Sequence, residues 1–161
     1  MSNYATITIS TTMTTIPECS ECGARYVDEQ DSCAAHFEQL LALDHSRREP
    51  WGSRHGQAFA AFALQHPDRH QGSLEVAWQA LYSIYVLHEA PTEVFTSVRR
   101  SASGVTVSGQ IPPRPGRPAS RPNVTIADLG DFSATSYATQ LDEWCRAALR
   151  AWGASVPVTA A

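Results

Sequence analysis

Three of the four cysteines in this chain, Cys19, Cys22 and Cys33, fall within fifteen consecutive residues. The segment around the first pair, Pro17 to Gln30, has no helical periodicity, which suits a tight metal-binding turn. The two-residue spacing of Cys19-x-x-Cys22 lets both sulfurs face one ion, and Gly23 directly after it relieves the turn that follows. No basic n-region and apolar h-region open the chain, so a reducing cytoplasm is the expected compartment, where thiols serve metals or stay free rather than pair as disulfides. The competing reading is two free or redox-active cysteines, with Cys33 as a small core residue.

Composition narrows the partners. The 161 residues suffice for one domain that buries about two-thirds of its unfolded surface. A net charge of -4 supplies no general attraction for phosphate backbones or anionic lipid, so neither nucleic acid nor a membrane is expected as a partner. The longest apolar run, Ile84 to Leu87, is far short of the roughly 18–20 residues of a membrane span. All 12 basic residues are arginine, the mark of a GC-rich genome such as an actinomycete's.

Apolar periodicity predicts a mainly α fold, a four-helix up-down bundle with an N-terminal zinc knuckle and a long Pro/Arg-rich loop. The first helix runs from residue 31 or 32 to Asp44 on Cys33, Phe37, Leu40 and Leu41. The second spans about Arg54 to His66, where Pro67 stops it. The third opens at Ser73 and reaches about Glu89 before Pro91, and the last runs from about Ser133 to Trp152 with Gly153 beyond it. Residues 1–16 read as a tail or strand, residues 17–161 as a single zinc-stapled domain, and about 98–124 as an extended, exposed loop with a short strand at 104–108. Arg99, Arg100, Arg114, Arg117 and Arg121 form a basic flank there, read as solvated.

In an antiparallel bundle the start of the first helix lies beside the end of the second, which brings Cys33 and His66 to the CxxC turn. Cys19, Cys22, Cys33 and His66 then offer three thiolates and an imidazole, the donor set of structural Zn²⁺. His36, His70 and an open water position are the alternatives for the fourth ligand. The fourth cysteine, Cys145, lies on the apolar stripe of the last helix and reads as core. At the other end the same geometry gathers Asp44, His55 and His88, a candidate acid/base or non-haem metal group, with His55 as the acid/base and Asp44 orienting it. A hydrogen-bonded boundary histidine is the plainer alternative.

No G-x-S-x-G elbow, phosphate-binding glycine loop or HExxH helix is present, so nucleophilic hydrolases and nucleotide-binding enzymes lack support. Cys19-Ser-Glu-Cys22-Gly23-Ala24, Cys33, then Ala63-Leu64-Gln65-His66-Pro67 and a closing Trp144 to Trp152 resemble a bacterial family catalogued as domain of unknown function 5946. The resemblance implies the knuckle and the helical architecture but transfers no activity. Members often carry Asp at the position of Ala60, His at that of Gln79, and histidines soon after the final Trp-bearing helix, where this chain has only residues 153–161. The aromatic supply of Trp78, Tyr82, Tyr85, Trp144 and Trp152 suggests a pocket for a small organic molecule, in keeping with a role in secondary metabolism. The rivals are a non-enzymatic interaction module with structural zinc and a zinc enzyme with an open metal position.

Overall fold

The computed structural model describes residues 16–101 and 110–157. It contains five α-helices, namely α1 (Cys33–His45), α2 (His55–Gln65), α3 (Leu74–Tyr85), α4 (Pro91–Arg100) and α5 (Tyr137–Ala151). Single 3-10 turns at Gly52–Arg54, Gln71–Ser73 and Ile126–Leu129 join them. There is no strand among the described residues, only an isolated bridge between Glu18 and Arg25. The expected tail or strand before Ile16 and the short strand at 104–108 lie outside the described residues.

The fold is mainly helical as expected, with five α-helices among the described residues in place of four. Helix α2 is apolar nearly all round, with Gln57, Ala58 and every residue from Ala60 to Gln65 buried, so it needs neighbours on every side. It supplies the central layer, packed against α3 and α5, with α4 resting on α3 and Gly56 letting the Phe95 ring approach α2. Helix α1 contributes Phe37, whose ring stacks on Phe62 of α2 at 3.9 Å between centroids and 5° between planes. Ser32 caps α1 by accepting from the Ala35 N–H at 3.1 Å.

The helix missed from sequence is α4. Pro91, expected only to lie beyond the end of α3, occupies the first turn of the next helix, where a proline loses no intrahelical hydrogen bond. Helix α3 accordingly ends at Tyr85 rather than near Glu89. The last helix starts four residues later than expected, after a turn in which Tyr137 N–H donates to the Ser133 carbonyl.

The Pro/Arg-rich stretch is irregular where described, but it is not free of the body. Pro112 accepts from the Trp78 indole at 2.9 Å, and Ala119 and Ser120 donate to the last carbonyl of α5, that of Ala151. Arg114 lies over the Trp152 ring at 5.0 Å, and Arg121 pairs with Glu18. Proline-fixed backbone without its own ladder therefore satisfies helix ends and indole groups that would otherwise lack partners.

Candidate metal centre

The N-terminal knuckle is built by its own backbone. Cys19 N–H donates to the Ala24 carbonyl at 2.8 Å and Gly23 N–H donates to the Cys19 carbonyl at 2.9 Å. Closing so short a loop needs a left-handed residue, and Gly23 takes φ +80°, with Arg121 packed where a side chain would stand. Two carboxylates tether the knuckle outward. Glu18 pairs with Arg25 and Arg121, which hold its carboxyl below the ordinary range. Glu21 accepts from the Asp68 N–H at 3.0 Å and pairs with Arg69 at 3.0 Å, just beyond the end of α2.

That end of α2 is where His66 sits, as the residue that follows the last helical turn. Its position is set from behind by two indoles of α5 and the residue after it. Trp144 donates to the Gln65 side chain at 2.9 Å, and Trp152 donates to the Leu64 carbonyl at 2.7 Å. Gln65 in turn donates to the Val124 carbonyl at 2.8 Å.

Cys33 begins α1 and completes the group: the ligand atoms of Cys19, Cys22, Cys33 and His66 all lie within 4.8 Å of one another. Cys22 is 1% exposed, Cys33 3% and His66 0%, while Cys19 is half-buried. His66 Nδ1 lies 2.9 Å from the Phe62 carbonyl, an acceptor, so Nδ1 carries the proton and Nε2 presents a lone pair. Nε2 is buried and has no hydrogen-bond partner in the protein. A buried ring nitrogen without a partner, amid three sulfurs, fits a cation that accepts both nitrogen and thiolate donors.

The sulfurs are tuned before any ion arrives. Cys22 Sγ lies 3.5 Å from Cys33 Sγ, and Tyr26 donates its hydroxyl to Cys33 at 3.0 Å. A hydrogen bond from Cys22, aided by Tyr26, holds the Cys33 thiol below its ordinary range, against the opposing effect of burial. The same bond and burial push Cys22 up. Tyr26 was not singled out from sequence. Its signal was available, since it is the sole aromatic residue between Cys22 and Cys33.

The alternative ligands stand apart from this group. His36 Nε2 lies 3.7 Å from Asp31, with its ring against Tyr26, and His70 meets Phe59 and Phe62 edge-on while burial pulls its pKa down.

At the far end, Asp44 and His55 do meet. The Asp44 side chain is 0% exposed and its Oδ2 lies 2.9 Å from His55 Nδ1. This bond raises the His55 pKa against the effect of burial and directs Nε2 away from the carboxylate. The other oxygen, Oδ1, is buried without a partner. His88 does not join them: it is exposed after α3, at φ 60°, and no hydrogen bond or ring contact links it to either residue. The His45 ring lies nearer, 5.7 Å from that of His55.

The aromatic residues expected to wall a pocket are core. Trp78, Tyr85, Trp144 and Trp152 are 2%, 3%, 0% and 1% exposed, and only Tyr82 is partly exposed. Cys145 is also core, fully buried with its S–H directed at the Gln57 carbonyl at 3.6 Å.

Fold and site together define a small helical protein with a buried cluster of three cysteines and one histidine that could hold a metal ion. The chain belongs to a family of unknown function (DUF5946), whose family model it matches over residues 17–153. Comparison with curated proteins and with solved structures finds no match. No helix among the described residues is long and apolar enough to cross a membrane.

Proposed function

We propose that this protein binds one zinc ion through Cys19, Cys22, Cys33 and His66, and that the ion is structural. The observation that carries the reading is the His66 Nε2 atom, buried, unpartnered and gathered with three sulfurs inside 4.8 Å. Three sulfurs and a nitrogen make a soft donor set, and four protein donors fill a tetrahedral shell without leaving a position for water. When bound, zinc supplies cross-linking charge and no redox chemistry. The residues do the rest: Phe62 fixes the imidazole, Tyr26 steadies Cys33, and Glu21 and Glu18 hold the knuckle against the turn after α2 and against Arg121. Thiolates kept free for metal imply a reducing compartment, which fits the cytoplasm.

Metal analysis of protein purified under reductant tests this reading. One zinc per chain is expected, with Cys33→Ser and His66→Ala losing both metal and folded structure. Zinc-free protein with normal helical content would overturn it. Folded but metal-depleted variants would instead support an ion with a catalytic role.

A second reading concerns small-molecule chemistry, and its support is the Asp44–His55 pair. A fully buried carboxylate fixing Nδ1 of a half-exposed histidine is an arrangement that presents Nε2 as a proton acceptor or donor. In this reading His55 is the acid/base group and Asp44 its positioning residue. Turnover of any small polar substrate identified by metabolite screening should vanish in His55→Ala and fall in Asp44→Asn, with metal content unchanged. Undiminished turnover in His55→Ala sinks the assignment.

A further inference from the structure

The four ligands of the proposed zinc site are not equally shielded. Cys22 and His66 are sealed in the interior, whereas a cavity of about 260 Å³ opens over the other side of the cluster, walled by Cys19 and Cys33 with Ser20, Tyr26 and Arg69. Of the two cysteines at that wall, Cys19 is partly exposed and Cys33 is buried. The cavity far exceeds the roughly 30 Å³ that a water molecule occupies in the liquid, so it admits a molecule with a few heavy atoms. The fourth cysteine, Cys145, has no such access, being 0% exposed in the core.

We propose that Cys19 is an oxidation site for hydrogen peroxide that enters through this cavity, and that the disulfide it then forms releases the metal. The proposal rests on the zinc reading above. The Cys19 thiolate attacks one oxygen of the peroxide, an S–O bond forms as the O–O bond breaks, and the leaving oxygen departs as hydroxide and takes a proton to become water. A second thiolate, Cys22 or Cys33, each with its sulfur within 4.8 Å, then attacks the sulfenic sulfur. The S–S bond forms, the S–O bond breaks, and a second hydroxide leaves and is protonated. Two thiolates have lost two electrons, one peroxide has become two waters, and the ion keeps only two of its four donors.

The metal end thus combines a staple with a trigger, because the sulfur open to oxidant is also a ligand. Loss of the ion frees the knuckle from His66 while the Glu18 and Glu21 tethers remain, so the change begins locally at residues 17–33.

The test starts by measuring zinc in the reduced full chain. Hydrogen peroxide is then added with a chromogenic zinc chelator present, and disulfides are mapped by mass spectrometry after alkylation. Zinc release in step with a disulfide that contains Cys19, with Cys145 still reduced, is the expected result. Ser20→Trp crowds the cavity at an exposed residue that is not a ligand, and should slow release severalfold at unchanged zinc content. Cys145→Ser should leave the rate as it is. Zinc retained with Cys19 reduced, a first disulfide between Cys22 and Cys33, or an unaltered rate in Ser20→Trp would each overturn the proposal. Protein that carries no zinc at the outset fails the metal reading itself, before any peroxide is added.

Discussion

The two ends of helix α2 solve the same problem in opposite ways. At its N-terminal end, His55 finds a charge partner inside the protein, the buried Asp44 carboxylate. At its C-terminal end, His66 has a backbone partner for one ring nitrogen and none for the other. A buried polar atom without a partner costs about 1–3 kcal/mol, and at His66 a metal ion gathered with the three sulfurs would supply that partner. The contrast teaches that a histidine's meaning lies in what its second nitrogen meets, since both histidines terminate the same apolar helix.

Removing the metal should break this contrast most severely. Chelation at neutral pH under reductant is expected to cost roughly 5 kcal/mol or more, and to lower Tm by on the order of 10–20 °C, measured by circular dichroism. An unchanged Tm would make the two ends equivalent and remove the distinction.

Next in size is the support behind His66. Trp144→Ala deletes a fully buried indole and strands the Gln65 side chain, which predicts a loss of about 3–5 kcal/mol in denaturant unfolding. Trp144→Phe keeps most of the volume and should cost about 1–3 kcal/mol through the unpaired amide. If the two variants cost the same, the indole N–H bond to Gln65, rather than packing, positions the C-terminal end of α2.

At the other end, Gly56→Ala would set a Cβ 2.7 Å from the Phe95 ring, which must move along with α4. Overpacking of this kind predicts a loss of about 1–3 kcal/mol with metal affinity unaffected. A simultaneous loss of zinc would show that the ends are coupled through α2.

The smallest effect belongs to Asp44–His55. Because the folded-state pKa of His55 is raised, the pair's stabilisation is fully present below the unfolded value of 6.5 and is lost as pH climbs through the folded one. Asp44→Asn should return the His55 NMR titration toward its ordinary value, with at most about 1 kcal/mol lost below pH 6.5, since the imidazole is half-exposed. Acidification acts oppositely at the metal end, where thiolates must stay deprotonated to bind. Falling pH therefore favours one end and weakens the other, and a titration that moved both together would contradict the comparison.

The sequence was most legible where chemistry and spacing are local. The CxxC turn, Gly23, the Ser32 cap and the apolar stripes of α1, α2 and α5 follow from short-range rules, because each depends on residues within a turn or two of one another. The helix that Pro91 opens was missed for a reason that is also local: proline stops one helix and opens the next with equal ease, and only the neighbouring α3 surface decides which. His88 was misplaced because extending α3 to Glu89 overlooked its end at Tyr85, after which the chain turns outward.

By itself, then, the sequence determined that the chain would be helical, that its sulfur would concentrate in one turn, and which residue types stood ready to meet a metal. Tertiary structure decided between His66, the ligand expected from helix order, and His36 or His70, by bringing His66 into a 4.8 Å neighbourhood with the cysteines, and it alone decided that the tryptophans serve as core props instead of pocket walls. The reason is physical. Helical periodicity specifies which face is buried, but the partner across that face is chosen by packing between distant segments. Here one indole of α5 and that of Trp152 just after it hold the end of α2 in place, and a knuckle more than forty residues earlier in the chain closes over it.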